Sequence, residues 1–470
     1  MSFTRKTLIL LAVFLGAHTY CHAQGMDFDE AELTRFIVSQ LKVSHVPGLA
    51  VGIVRRDRIV YLRGFGTTAG QSITPQTPFL IGSLSKSFTA LAVMQLVEVG
   101  KLNLDTPVYQ YLPWFRLKDL EASRTITIRH LLNQTSGLPT SAGFFTPDAD
   151  ALGKTKLAHP VGQVYEYCNL NYKILGMLIE AVTGQTYAAY VQGHVLDPLE
   201  MHSTYLTYDD AIGHGLVEGH QYVFGLPVSV ATLPYDSRNV PAGYIASSAE
   251  DMCHYLIVQS QGGVYNGRQV ITPSSLALMH QPRGDIGSRY GMGWGAGEWN
   301  GLQSIRHTGL NEDFSSNMNI LPGKGYGIII LSNVNSFTVH NDLMDGIIRR
   351  LHGQQTKSYV PYELLQRLLL LATLLFGLVQ LLRQLWRWRA LGFPLSIRVR
   401  AKVIAHLILS VTISGILLVA VPVWADSPLN ALLMYEPDIG YGIIYGAIIF
   451  TLAGIIGAFV KSKLLLGAAT

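Results

Sequence analysis

The sequence predicts an α/β fold in two parts: an antiparallel sheet built from both ends of a large domain around a helical insertion, followed by three transmembrane helices. Three observations carry this. Strand patterns occur at 49–65 and between 290 and 332, and hardly at all between. Helical periodicity and loops punctuated by Gly, Pro and Asn fill 83–255. After about residue 360 come three nearly charge-free runs, each about 22 residues and long enough to cross a bilayer.

The N-terminus, MSFTRKTLILLAVFLGAHTYCHAQ, sets Arg5 and Lys6 before an apolar run from Leu8 to Ala17 and ends in Cys21-His22-Ala23, the pattern of an export signal over 1–23. The exported domain, 24–360, opens with a helix over Glu30 to Lys42. A hairpin follows, Leu49 to Val54 and Ile59 to Phe65 around Arg55-Arg56-Asp57. Thr89 to Glu98, Tyr172 to Val182 and Asp251 to Gln259 read as helices. Strands return at Tyr290 to Gly295, Ser304 to Thr308, Ser316 to Ile320 and Tyr326 to Ser332, and a helix over Val339 to Leu351 closes the domain.

The membrane domain, 361–470, holds the apolar runs Leu364 to Leu385, Val403 to Trp424 and Ile439 to Val460. Arg383, Arg387, Arg389, Arg398, Arg400 and Lys402 cluster around the first connection, and Lys461 and Lys463 follow the third run. The second connection carries Asp426, Glu436 and Asp438 and no Lys or Arg. By the positive-inside rule the basic loop and C-terminus are cytoplasmic. Residues 24–360 are then expected outside a bacterial cytoplasmic membrane, in the periplasm or extracellular space, where the export signal would send them. Gly442 and Gly446, with Gly454 and Ala458 further on, have the small-residue spacing for close helix packing, within one chain or in a homodimer.

With 49% hydrophobic and 14% charged residues and a net charge of +4, the chain has no basic patch for nucleic acid. Its three cysteines are too few for a disulfide framework, and a Cys168–Cys253 bridge is not expected. The histidines lack metal-site spacing and no glycine-rich phosphate loop precedes a helix, so no metal or cofactor is expected.

Three motifs carry chemistry. In Ile81-Gly82-Ser83-Leu84-Ser85-Lys86, Ser83 and Lys86 stand three apart at the start of a helix, within reach of each other. A lysine with a pKa near 10.4 is neutral in only a few molecules per ten thousand at pH 7, a penalty of about 4.6 kcal/mol, so Lys86 serves as a base only if its pKa is depressed. Phe79, Ile81, Leu84 and a helix N-terminus push that way. In Tyr167-Cys168-Asn169 a phenol and an amide sit one residue apart, on the same side of an extended segment. His307-Thr308-Gly309 ends a strand in a small residue, and the Leu310 amide is placed to join that of Ser83 in an oxyanion hole.

In this order and with these flanks, the motifs resemble the serine β-lactamase and penicillin-binding-protein superfamily over about residues 28–352, in the branch of class C β-lactamases, D-aminopeptidases and related esterases. Supporting flanks include Val46-Pro47-Gly48, Thr135-Ser136-Gly137-Leu138-Pro139, Gly243-Tyr244-Ile245 and Tyr290-Gly291-Met292-Gly293-Trp294. The resemblance implies an antiparallel-sheet α/β sandwich plus an all-helical lobe. It also implies Ser83 as acylated nucleophile, Lys86 as base and Tyr167 as proton relay. Asn169 would contact substrate and the lysine, and His307, Thr308, Gly309 and Leu310 would line the substrate. Cys168 and Gln134 depart from the branch's usual Ser and His, as packing changes. His307 stands where penicillin binders have Lys and is mostly neutral at pH 7, which weakens recognition of a free carboxylate.

The layout resembles membrane-anchored peptidases that mature nonribosomal peptide or polyketide prodrugs, of the colibactin-maturing type, which remove an N-acyl-D-amino-acid cap. The expected substrate is therefore a small peptide or acyl-peptide, with a lipid tail as one form. An esterase and a slowly acylating sensor are the competing readings of the same residues.

Overall fold

A computed structural model of the chain describes residues 28–144, 149–230, 236–299, 301–354, 362–389, 412–420 and 437–467, with residues 410, 429 and 433. The export signal, most of the second apolar run and most of both loops around it lie outside the described residues.

The main elements are α1 (Glu30–Ser44), β1 (Gly48–Arg55), β2 (Arg58–Thr68), α2 (Ser85–Glu98), α3 (Asn169–Thr183), β3 (His220–Val223), β4 (Leu226–Ser229), α4 (Ala249–Ser260), β5 (Gly295–Trp299), β6 (Leu302–Leu310), β7 (Ser315–Leu321), β8 (Tyr326–Ser332), α5 (Phe337–Leu351), α6 (Tyr362–Arg389) and α7 (Pro437–Gly467). The sheet runs β5-β6-β7-β8-β1-β2 and ends on the short strand Gln71–Ser72. β1 pairs with β8 across the whole sequence of the domain, Leu49 opposite Ser332 and Arg55 opposite Tyr326. The two ends of the domain do build one antiparallel sheet.

Central strands buried on both faces read as continuous apolar runs, and β1 and β8 are apolar or glycine throughout, apart from their polar C-terminal residues, for that reason. Alternate residues serve different cores. Leu49, Val51, Ile53, Ile328 and Ile330 pack with α1 and α5, whereas Ala50, Val54, Ile329 and Leu331 face α2, α3 and α4. A Cβ at Gly52 would stand 2.3 Å from the Cys253 sulfur, so a glycine lets α4 lie directly on β1. Cys253 and Cys168 are both buried free thiols.

Two strand expectations need correction. Tyr290 to Gly295 is not a strand: Tyr290 and Gly295 form one isolated bridge, the chain turns between them, and β5 begins at Gly295. Gly293, at φ +77°, makes that turn. The helical insertion also contains the hairpin β3–β4, which its mixed sequence HQYVFGLPVS hides.

In the C-terminal region one helix, α7, has a stretch among the described residues long and apolar enough to cross a membrane, Asp438–Gly457. Three such helices, as expected from sequence, are not seen among the described residues: α6 carries Glu363, Arg367, Arg383, Arg387 and Arg389, and the second run is only partly described. α6 and α7 lie side by side in the same direction, since Gly442 faces Leu370, Gly446 faces Leu374 and Gly377 faces Ile449. Ser410 lies against Gly454 and Leu417 against Gly446, so this stretch runs the opposite way along α7. Gly442, Gly446 and Gly454 thus pack helices within one chain.

Candidate active site

The strand Phe79–Leu80 pairs with Ala246–Ser247 and delivers the chain into a 3₁₀ turn, Gly82–Leu84, that leads straight into α2. Three serines lie close together, and burial separates them. Ser85 and Ser87 are fully buried and donate to the carbonyls of Gly82 and Leu84, each at 2.7 Å. Ser83 is partly exposed and lines an open cavity of about 320 Å³ with Tyr165, Tyr167, Tyr290, Gly295, Arg306, His307, Thr308 and Leu310.

Lys86 is 0% exposed. Its amine reaches Asn169 Oδ1 at 2.7 Å, the Ala242 carbonyl at 2.6 Å and Ser83 Oγ at 3.0 Å. A neutral amine has two N–H donors and one lone pair. Two of its neighbours, the amide and carbonyl oxygens, only accept, so the lone pair falls to the third, the Ser83 hydroxyl, which can donate. Burial lowers the Lys86 pKa well below its ordinary value, and nearby Lys173 adds to this. The amine stands over the Tyr167 ring at 4.7 Å and the Tyr172 ring at 5.8 Å. This is a hydroxyl facing an amine whose hold on its proton is weakened by burial.

Cys168, with extended backbone, separates Tyr167 from Asn169, the first residue of α3, so the phenol and the amide reach the same lysine. Gln134 holds this segment: its Oε1 accepts from the Cys168 N–H at 3.0 Å and from Asn171 Nδ2 at 2.5 Å. Its sequence reading as a packing change misses that role. The signal lay in its setting, a polar residue between two leucine-rich and glycine-rich motifs.

On the other wall, β5 pairs only with Leu302–Arg306 of β6. From His307 to Leu310 that edge of β6 is not paired by β5 and faces the cavity, so a substrate backbone can lie along it as an added strand. A Cβ at Gly309 would meet the Ile81 carbonyl oxygen at 2.2 Å, and one at Gly82, φ +53°, would meet the Leu310 nitrogen at 2.5 Å. These two glycines press the Ser83 turn onto the strand and bring the Ser83 and Leu310 amides to one end of the cavity, the arrangement an oxyanion hole needs.

His307 Nδ1 lies 2.7 Å from the Thr308 carbonyl and so carries the proton, and Nε2 accepts from the Tyr290 hydroxyl at 3.1 Å. Burial lowers its pKa to about 3 and raises that of Tyr290 well above 10. The pair is neutral at every working pH. The sequence marks Tyr290 only as the start of an expected strand and of a motif flank, and its partnership with His307, 17 positions away, has no local signature. We expect the ratio of kcat/KM for an anionic substrate to that for its neutral analogue, which cancels the titration of Lys86, to show no step near the usual histidine pKa of about 6.5 from pH 5 to 8.

The turn after Leu310 contains Asp313, whose carboxyl is 3% exposed and raised to about 8, by burial first and then by Glu312. The folded state holds this proton where the unfolded chain, near 3.9, has lost it. Stability is thus undiminished below about pH 4 and falls as pH rises toward 8. Asp313→Asn should raise Tm at pH 8 and leave it nearly unchanged at pH 4, in paired thermal melts.

A serine whose base is a buried lysine one helical turn away, set against the open edge of an antiparallel sheet, defines the active-site serine hydrolases of the Ser-x-x-Lys class. The Beta-lactamase family model matches residues 33–352, and the chain belongs to that family, within the superfamily that includes the penicillin-binding proteins. It is 31% identical to Protein flp of Staphylococcus aureus over 65% of this chain and 64% of that protein, so it spans just under two thirds of that relative's length. It is 31% identical to penicillin-binding protein 4 of Amycolatopsis lactamdurans over 72% of this chain and 93% of that protein. Among solved structures, the octameric penicillin-binding protein homologue from Pyrococcus abyssi matches with a TM-score of 0.59 and 25% identity, covering 70% of this chain and 78% of the other.

Proposed function

We propose that the chain is a membrane-anchored, extracytoplasmic serine hydrolase that cleaves an amide beside a D-amino acid through an acyl-enzyme on Ser83, and that it removes an N-acyl-D-amino-acid cap from a prodrug-like substrate. The observation that carries the catalytic part is the contact set of Lys86, with two acceptors for its N–H groups and the Ser83 hydroxyl for its lone pair. Ser83 Oγ attacks the carbonyl as its proton passes to Lys86. The charge that develops on the carbonyl oxygen faces the Ser83 and Leu310 amides. Tyr167, packed on Lys86, is placed to pass the proton to the leaving amine, and water then attacks the ester under the same base.

Neutral His307 and Tyr290 favour a substrate whose scissile bond is not followed by a free carboxylate. The anchoring is supported by α7 and by the parallel course of α6 beside it, which requires the chain to return between them. Their shared direction agrees with an outside location for both N-terminal ends.

The test is hydrolysis by the detergent-purified full chain of D- and L-aminoacyl amides, an N-acyl-D-asparaginyl amide and a simple ester, with Ser83→Ala as the blank. The reading expects turnover of D-configured amides, greatest for the acylated one. Turnover of the ester alone would replace the peptidase with an esterase, and a stable adduct without turnover would replace it with a sensor.

A further inference from the structure

The hairpin β3–β4 is fastened to the C-terminal helices. Its tip, Phe224-Gly225, has both residues at positive φ, 50° and 83°, as a tight two-residue hairpin turn requires. The Phe224 N–H donates to Asp438 Oδ2 at 2.8 Å, and Arg367 Nε donates to the same oxygen at 2.9 Å. This ion pair is almost completely enclosed, with side chains 3% and 1% exposed, and the guanidinium lies over the Tyr222 ring at 5.3 Å. Around this buried charge pair the hairpin leaves apolar side chains uncovered: Val223 is 40% exposed, Leu226 62% and Val228 48%.

The length of α7 fixes the height of this hairpin. Asp438–Gly457 is 20 residues, which at 1.5 Å per residue spans about 30 Å, the thickness of a bilayer's hydrocarbon core. If that stretch spans the membrane, Asp438 marks the plane where hydrocarbon gives way to headgroups, and the backbone bonded to it lies in that plane. Tyr441, half exposed near the start of α7, lies within about 5 Å of that level, where tyrosines collect at a membrane interface. The exposed apolar residues of the hairpin flank the tip that is bonded to α7 at this level.

The geometry points to the β3–β4 hairpin as a membrane-interface anchor, with Val223, Leu226 and Val228 seated in the boundary between headgroups and acyl chains and the Arg367–Asp438 pair as the latch. The proposal rests on the membrane-anchored reading above. It bears on the active site because the hairpin stem carries the turn that follows Leu310: His220 N–H donates to the Asp313 carbonyl at 3.1 Å and Gln221 Nε2 to the Glu312 carbonyl at 2.8 Å. The anchor therefore holds the cleft at a fixed height above the bilayer, as suits a substrate whose acyl chain remains in lipid.

The test uses the full chain in a Cys21→Ser background, where the buried Cys168 and Cys253 resist labelling. Val223→Cys and, separately, Leu226→Cys are labelled with an environment-sensitive nitrobenzoxadiazole. The proteins are reconstituted in phosphatidylcholine–phosphatidylglycerol nanodiscs with or without a shallow doxyl lipid. The control is Leu120→Cys, 58% exposed on the short helix Leu120–Thr125. The expected result is a blue-shifted emission at 223 and 226, quenched about twofold or more by the doxyl lipid, with the label at 120 unaffected. Labels at 223 and 226 that behave like the control, in a protein that resists carbonate extraction, overturn the anchor and leave the membrane reading standing. A blue shift without lipid quenching means a second protein copy covers the hairpin and also overturns it. Extraction of the unmodified chain by carbonate removes both the membrane reading and the anchor.

Discussion

Lys86→Met lowers kcat/KM by about 10⁴-fold while the protein remains folded, because the substitution removes the base but keeps the length and volume of an apolar stem. The amine sits in a wholly buried site that lowers its basicity, and replacing it with Met keeps that space filled. It does strip partners from Asn169 Oδ1 and the Ala242 carbonyl, at a cost of about 1–3 kcal/mol each. Circular dichroism and a thermal melt would then show an intact fold with a lower Tm. Lys86→Arg is expected to be equally inactive, since a guanidinium keeps its proton and has no lone pair for the serine. The rate of the native enzyme rises with pH as Lys86 loses its proton, and the midpoint of that rise lies well below the usual lysine value of about 10.4. A Lys86→Met variant with more than about a tenth of native activity would assign the base to another group.

Gly309→Ala lowers kcat by about 10²- to 10³-fold with a smaller change in KM. The added methyl meets the Ile81 carbonyl oxygen and Ser316 Oγ, each at 2.2 Å; the first is backbone, and the second is tied to it by a hydrogen bond of 2.8 Å. The strand must move off the nucleophile turn, which separates the Leu310 amide from that of Ser83. Substrate contacts along His307 and Thr308 survive, so the loss falls on the oxyanion and thus on kcat. Gly295→Ala provides the control. It lines the same cavity, but its nearest contact would be 3.4 Å, and activity within about threefold of native is expected. If both glycines tolerate alanine, the close approach of turn and strand is not what stabilises the oxyanion.

Much of this site was legible because its chemistry is local. Ser83 and Lys86 are separated by one turn, and a Tyr-x-Asn in extended chain must present both side chains together, so spacing alone brings each pair within reach. The central strands were legible from runs such as Leu49 to Val54, whose burial on both faces leaves no polar position. What escaped depends on partners distant in sequence. Tyr290 and His307 meet only because the chain turns at Gly293 before β5, and the residues before that turn mimic a strand in composition. Gln134 acts through the Cys168 amide, 34 positions on. The β3–β4 hairpin alternates poorly because its exposed apolar residues face neither core, and its tie to Asp438 crosses 214 positions.

The central claim is that Ser83, and neither of its buried neighbours Ser85 and Ser87, carries the acyl group. The most direct measurement is intact-protein mass spectrometry after rapid acid quench of the full chain with an N-acyl-D-aminoacyl substrate, followed by peptide mapping of the adduct. One acyl group per chain on Ser83, absent in Ser83→Ala and accumulating at a slower rate in Lys86→Met, is the predicted result. Turnover with no adduct at any time, or an adduct mapped to Ser85 or Ser87, would contradict it.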